Sequence, residues 1–383
     1  MSILSILWSS GKAHTSIHRV HEEILSLVAD EREEMHTWML MGREAARNSD
    51  CGQMLHWRLS SRALKGRGIW KLSQWWLQRH LAREIERLNP KVLLLDGIGV
   101  ARLIIPVVAR LHLKSRVIVV FHGQSRMRRS DPKLFDAIAA HRLRLVAVSE
   151  ALAESLGAKL GRAVFAARTA INPHSFKQEL ISRDEARGRL GLDSASIVLG
   201  TVGRLVEEKG FLPMLDVLSE LSRVRTNIHL VLVGEGRQRP ELESRIRRLS
   251  LGRMVTLAGY RQDAAQLYKA FDVMLIPSRS EGLGLVLQEA VMADVPVVAS
   301  DLPVFVEQLG VKGIYVSPND VSGWVTAIEH VLDSDRRSLA VEQGNHLASE
   351  QAWKRFRKSY VELLADDSGT VSASQNCENG KAF

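Results

Sequence analysis

The sequence predicts an α/β protein built from two parallel-sheet domains, and three observations carry that expectation. Short apolar runs of strand length alternate with helix-length segments along the chain, the order that winds helices around parallel sheets. At 383 residues the chain is too long for one compact core. A polar, charge-rich stretch at 178–187 separates a first series of apolar runs from a second.

In the first series, segments 3–8, 91–95, 116–121 and 145–148 read as short buried strands. Segment 70–88 reads as an amphipathic helix. Its Leu72, Trp76, Leu81, Ile85 and Leu88, with Ile69 just before it, fall near helical spacing and are expected to face a core. The second series places strands at 197–202, 228–233, 254–258, 273–276, 295–299 and 314–316. A closing helix is expected at 350–364. From 366 onward apolar periodicity stops, which predicts a disordered tail. The expected organisation is therefore a first domain at 1–180, a second at 181–349, a helix at 350–365 and a tail at 366–383.

With 45% hydrophobic and 25% charged residues, the composition is that of an ordinary globular protein rather than a fibrous or disordered chain. Cys51 and Cys377 stand far apart, form no metal or redox spacing, and fit a reducing cytosol. No run reaches about 18 consecutive apolar residues, and the start of the chain lacks a positively charged lead. Neither a spanning helix nor a cleaved signal is expected.

Charge is distributed unevenly. Residues 1–180 carry 28 Lys and Arg against 16 Asp and Glu, a net +12, which leaves −3 for the remainder of a chain with net charge +9. No nucleic-acid motif accompanies the excess, so nucleic acid is not an expected partner. Six of the eight tryptophans fall within the first 76 residues. Trp57, Arg58, Arg62, Lys65, Arg67, Trp70, Lys71, Trp75, Trp76 and Arg79 interleave aromatic and basic side chains, a pattern of peripheral membrane surfaces. An anionic membrane surface or a phosphorylated acceptor is therefore an expected partner.

The densest chemistry lies at 272–289. The apolar run ending at Pro277 reads as a buried strand, the segment with Gly282 and Gly284 as a loop, and the residues beyond as a helix. A helix starting near Gly284 would aim unpaired N–H groups at an anion, and the two glycines would let a phosphate come close to the backbone. Ionised carboxylates only accept hydrogen bonds, which suits diols. Glu281 would therefore hold sugar hydroxyls and Glu289 a ribose. Likewise, the run 197–202 delivers Arg204 and Lys209 to the loop at its carboxyl end, the edge of an open α/β sheet where ligands bind. Each of these charges taken singly would read as a solvated surface residue; their combination points to a phosphorylated, polyhydroxylated ligand.

The landmarks resemble, in order and spacing, those of the retaining GT-B glycosyltransferases of family four. They run Gly203-Arg204 with Lys209-Gly210, then Gly234-Glu235-Gly236, then Gly259-Tyr260-Arg261 with Asp263, then Asp272 to Pro277. Glu281, Glu289, Pro296 to Ser300 and Glu307 complete the series. The likeness extends along most of the second half and is similar to that of bacterial lipopolysaccharide core glycosyltransferases. It implies a GT-B fold, two Rossmann-like domains with parallel sheets facing across a cleft.

The resemblance also implies residue roles. Arg204 and Lys209 would stabilise the departing diphosphate, Glu281 would position the donor sugar, and His122, at the end of a strand and followed by Gly123, would approach that sugar or its phosphate. Gly11, Gly203, Gly234, Arg261, Gly282, Leu283, Gly284, Leu285 and Glu289 would line the donor site. The implied reaction retains anomeric configuration, with the departing phosphate helping to remove the acceptor proton. No carboxylate pair is arranged for a covalent glycosyl-enzyme, and no cluster suggests a metal, so no metal and no cofactor are expected.

The expected donor is a nucleotide sugar, UDP-linked before GDP-mannose. The expected acceptor is a bacterial surface glycan or glycolipid, a lipopolysaccharide core first, reached from the cytoplasm at the inner face of the membrane. A capsule or exopolysaccharide transferase, a sugar-nucleotide epimerase and a non-catalytic GT-B scaffold are the alternatives.

Three positions depart from the family pattern. Ser9-Ser10-Gly11-Lys12 offers one glycine where the family has a glycine-rich loop. Thr169-Ala170-Ile171-Asn172 stands where the family has Asn-Gly-aliphatic-Asp, and Asp294 stands where glycine is common. The segment Ala147-Val148-Ser149-Glu150 is expected to be a structural turn.

Overall fold

The computed structural model describes residues 2–8, 16–28, 34–41, 52–60 and 70–365, with side chains omitted at 16 and 70–74. The loop with Gly11 and Lys12, both cysteines, Arg62, Lys65, Arg67, Ile69 and the predicted tail fall outside the described residues.

The expected two-sheet α/β architecture is present. Strands β1 (Ile3–Leu7), β2 (Met35–Met39), β3 (Gln53–His56), β4 (Val92–Asp96), β5 (Arg116–Phe121), β6 (Leu143–Ala147) and β7 (Phe165–Ala166) form one seven-stranded sheet. Its order is β3-β2-β1-β4-β5-β6-β7. Strands β8 (Ile197–Val202), β9 (Ile228–Val233), β10 (Val255–Gly259), β11 (Val273–Ile276), β12 (Val297–Ser300) and β13 (Ile314–Val316) form a six-stranded sheet ordered β10-β9-β8-β11-β12-β13. Pairings in the second sheet are parallel throughout. Parallel neighbours need a crossover, and helices cover the sheet faces.

Backbone proximity divides the chain into two compact units. One takes in the described residues within Met1–Val120, Met127–Leu145 and Arg357–Phe383; the other comprises Phe121–Arg126 and Val146–Phe356. The core of the second unit joins Leu199, Leu230, Leu232, Val273 and Leu275 from the central strands to Phe211, Leu215 and Leu218 of the helix Phe211–Leu221 and to Trp324 and Ile328 of Val321–Asp333. Buried on both faces, β11 reads Val-Met-Leu-Ile without alternation, as an interior parallel strand should.

The second sheet has a consequence for ligand binding. The chain runs outward from β8 through β9 to β10, then returns to lay β11 on the other side of β8 and continues to β12 and β13. The reversal puts a topological switch point between β8 and β11, and in open parallel sheets the crevice beyond the carboxyl ends at such a point holds ligands. Asp272 fixes the opposite ends of the two strands: its backbone N–H donates to Val198 O and its carboxylate accepts from Val198 N–H, both at 2.7 Å.

Three strands, β2, β3 and β7, are additional to the sequence expectation. β2 carries His36 and Thr37 in a five-residue strand, β3 lies at a sheet edge with a mixed exposure pattern, and β7 has two residues at the other edge. None offers the apolar run that announces an interior strand. β12 begins two residues later than expected because Pro296 has no N–H for the ladder; its carbonyl accepts from Met274 N–H at 2.9 Å.

The helix Trp70–Leu88 forms as expected, but Trp76 is not on its buried face. Leu81 and Ile85 are fully buried, whereas Trp76 is 68% exposed. Five residues at about 100° each set Trp76 roughly 140° away from Leu81, so the helical phase turns it outward. Asp294 takes φ 60, the left-handed conformation that glycine adopts most readily, which is the physical reason glycine suits this turn.

Candidate active site

Two loops extend from the carboxyl ends of the switch-point strands, both within the second compact unit. The first follows β8 and contains Gly203, Arg204 and Lys209; the second follows β11 and contains Ser278, Glu281, Gly282 and Gly284. They are stitched together. The Arg279 N–H donates to Glu208 O at 2.8 Å, and the Lys209 ammonium donates to Glu281 Oε1. Ser278 Oγ donates to the same oxygen at 2.9 Å. Two donors on one oxygen orient the carboxylate and leave Oε2 without a partner among the described residues. Lys209 and Glu281 are both mostly enclosed, with side chains 18% and 13% exposed, so their attraction is little screened.

Arg204 differs. Its side chain is exposed and pairs with no carboxylate among the described residues. In a unit where Arg168, Arg187, Arg245 and Arg261 all engage acids, that leaves Arg204 available for an external anion.

Beyond Gly284 the helix Leu285–Met292 starts with no side-chain cap. Its first N–H groups are therefore oriented as anion donors, reinforced by the helix dipole. Two glycines make this entry possible. Gly284 has φ 78, and a Cβ there would lie 2.5 Å from the Phe305 ring. A Cβ at Gly282 would lie 2.0 Å from His122 O and 2.7 Å from Gly123 Cα. The loop thus rests directly on the His122-Gly123 backbone, which brings the strand-end histidine beside the carboxylate loop.

His122 is half-buried, and desolvation pushes its imidazole down to about 4 from an ordinary 6.5. The ring is neutral at pH 7. Because the unfolded chain binds a proton between about pH 6.5 and 4 while the folded one does not, His122 lowers stability as pH falls through that window. The melting temperature of His122→Gln is expected to fall less than that of the wild type between pH 7 and pH 4, measured by calorimetry. Parallel pH profiles for the two proteins would refute the assignment.

Glu289 lies inside the helix, where Tyr268 Oη donates to its Oε2 at 2.5 Å. Tyr268 is fully buried, so it holds the carboxylate in a fixed rotamer. Gly203 and Gly234 are held in the backbone between strands: Gly203 N–H donates to Val233 O at 2.9 Å and Gly234 N–H to Gly259 O at 2.8 Å. Arg261 is bound bidentately by Asp263 at 2.8 and 2.7 Å, and this hydrogen bonding holds the Asp263 carboxyl below the usual carboxylate range. Leu283 is buried and its carbonyl accepts from Gln308 at 2.6 Å, while Leu285 opens the helix. Of the expected site residues, Gly11 alone lies outside the described residues.

Residues outside the expected donor set complete the frame. Ser149, fully buried, donates to Gly282 O at 2.7 Å and accepts from Leu152 N–H as cap of the helix Glu150–Leu160. The expected structural turn is thus also a strut for the carboxylate loop. Gln288 donates to Thr169 O and to Gln308 Oε1 and accepts from Ile171 N–H, so the departed Thr169–Asn172 turn is tied to the helix of Glu289. Asn172 itself caps the helix Pro173–Glu179 through bonds from His174 and Ser175 N–H, a role worth about 1 kcal/mol. Glu307 accepts from Arg168 at 2.5 Å and from the N–H groups of Glu150 and Ala151. A Ser before a helix, or a Gln inside one, carries no sequence signal of partners more than a hundred residues away.

The glycosyl transferases group 1 family matches residues 196–334, the segment that holds both loops. Over 196 residues the chain is 30% identical to a D-inositol 3-phosphate glycosyltransferase of Corynebacterium kroppenstedtii, covering 48% of this chain and 43% of the relative. Over 183 residues it is 29% identical to the lipopolysaccharide core biosynthesis glycosyltransferase LpsE of Rhizobium meliloti, covering 47% and 53%. The chain thus spans about half the length of these curated relatives. Anabaena HepE, solved with UDP and glucose, superposes with a TM-score of 0.73 over 95% of this chain and 99% of that one, at 16% identity. That likeness is one of fold. Residues 196–334 are therefore a glycosyl transferases group 1 domain, carried on a chain of GT-B fold.

Proposed function

We propose that this protein is a retaining, metal-independent transferase that moves a hexose from a nucleoside-diphosphate sugar to a bacterial cell-surface glycan, with a lipopolysaccharide core as acceptor. The observation that carries this reading is the meeting, at one switch point, of the Lys209–Glu281 pair, an exposed Arg204 that pairs with no carboxylate among the described residues, and an uncapped helix start. Bond cleavage at the anomeric carbon develops negative charge on the departing diphosphate. Arg204, Lys209 and the N–H groups after Gly284 would meet it without reorganising, where preorganised charge contributes most to rate. The remaining acceptor capacity of Glu281 would take sugar hydroxyls, Glu289 held by Tyr268 would take the ribose, and neutral His122 would lie along the sugar. The departing phosphate would receive the acceptor proton on the same face.

The UDP and glucose bound to HepE support a UDP-linked donor, with GDP-mannose second. The name of LpsE supports a lipopolysaccharide acceptor, and that of the corynebacterial relative supports an acceptor carrying phosphate. The net +12 of residues 1–180 suits such an acceptor, and on this reading 1–180 binds acceptor and 181–349 donor. No helix among the described residues is long and apolar enough to cross a membrane, and we place the protein at the inner face of the cytoplasmic membrane by surface association.

Thermal unfolding against UDP-, GDP-, ADP- and dTDP-sugars tests the proposal, because a ligand that binds only the folded state raises its stability. One nucleotide sugar is expected to raise the midpoint by several degrees in the wild type, with most of that shift lost in Arg204→Ala. A panel without any shift, or a shift that Arg204→Ala preserves, would overturn the assigned site.

A further inference from the structure

The exposed face of the helix Trp70–Leu88 has an unusual composition. Leu81 and Ile85 are buried, Leu77, Gln78 and Leu88 are half-buried, and all lie on one side. The other side presents Trp75, 51% exposed, and Trp76, 68% exposed, packed edge to face with ring centroids 4.9 Å apart. The Arg79 guanidinium stands 5.4 Å from the Trp75 ring centroid. Counting about 100° per residue from Trp76, Arg79, Arg83 and Arg87 all fall within roughly 60° of it. All three arginines are exposed, and Arg87 also binds Glu84 at 2.9 Å.

Two adjacent tryptophans held in water leave a large apolar area unsatisfied, and they seldom stand exposed without a partner. The adjoining charge selects among partners. Arginines beside the indoles, on a segment with a net +12, favour a negatively charged surface over an uncharged apolar one. Indoles settle at the headgroup level of a bilayer, and arginine stems lie along apolar surface while their heads reach phosphate.

We propose that the face formed by Trp75, Trp76, Arg79 and Arg83 docks on an anionic lipid bilayer, the indoles entering the headgroup region and the guanidiniums pairing with lipid phosphates. The inference rests on the reading above, in which the acceptor is membrane-borne, and it assigns the surface that would bring the enzyme to it.

Co-sedimentation with vesicles of phosphatidylcholine alone, and of equal parts phosphatidylcholine and phosphatidylglycerol, tests it. The wild type is expected to bind the mixed vesicles, to bind less as salt rises, and to shift its tryptophan emission to the blue. Trp75→Ala/Trp76→Ala and Arg79→Glu/Arg83→Glu are each expected to weaken partitioning by roughly tenfold or more. Their melting temperatures should stay at the wild-type value, because these side chains lie outside the core. Failure of the wild type to bind mixed vesicles, or equal binding by both variants, would overturn the inference. Concentration-dependent self-association that Trp75→Ala/Trp76→Ala abolishes, without vesicle binding, would assign the face to a second copy instead. Nucleotide-sugar stabilisation measured on the same preparations separates the two readings: a donor shift without vesicle binding refutes the docking face alone, and vesicle binding lost in the variants without a donor shift refutes the transferase alone.

Discussion

Lys209→Ala is expected to lower turnover of the stabilising nucleotide sugar by roughly a hundred- to a thousandfold while the protein stays folded. The ammonium does two things that no neighbour matches with a charge. It fixes one oxygen of Glu281, and it supplies positive charge in an enclosed place where charge is weakly screened. Ser278 would still hold Glu281, but through a neutral hydroxyl. Glu281→Gln complements the test: the amide keeps the size and an acceptor oxygen but loses the charge that holds Lys209. If the loop pair acts on the donor, both variants lose turnover, and Lys209→Ala also loses donor-induced stabilisation. Turnover within a fewfold of the wild type in Lys209→Ala would reduce the pair to a structural ion pair between two loops.

Asp272→Ala is expected to be the most destabilising single change outside the site, by about 3–5 kcal/mol. Its carboxylate, almost fully buried, accepts from Arg183 at 2.7 Å, Arg187 at 2.8 Å, Arg336 at 3.0 Å and Val198 N–H at 2.7 Å. Arg187 is only 2% exposed, so removal of Asp272 leaves a buried guanidinium with carbonyl partners alone. The change also leaves Val198 N–H at the start of β8 without its carboxylate acceptor, so that only the backbone bond from residue 272 N–H to Val198 O holds this end of the two strands whose far ends carry the site loops. For a unit of this size the unfolding midpoint should fall by roughly 10 °C. Asp272→Leu/Arg187→Met should recover part of the loss, since a buried ion pair is costly to break but much less costly to replace whole. A midpoint within about 2 °C of wild type for Asp272→Ala would show that the network is not what joins these strands.

Much of the second sheet was legible beforehand. β8, β9 and β11 lie where their apolar runs predicted, because an interior parallel strand buries both faces and writes that burial into a continuous run. β3 and β7 are short, partly exposed strands without an apolar run, so nothing local announces them. The loops bearing Arg204, Lys209, Glu281 and Gly284 were equally legible, since glycines and charges directly after an apolar run are local signals. Trp76 illustrates the opposite: approximate helical spacing groups it with Leu81 and Ile85, yet it stands about 140° from Leu81 in helical phase and faces outward.

The sequence by itself determined the alternation of strands and helices, the group 1 landmarks and the charged residues at strand ends, because each is set by neighbours within a few positions. The tertiary structure alone decided their partnerships. Lys209 meets Glu281 across 72 positions, Ser149 meets Gly282 across 133, and Tyr268 meets Glu289 across 21. Crossovers between parallel strands bring such residues to one edge of a sheet, and no periodicity along the chain records which loops will then face each other.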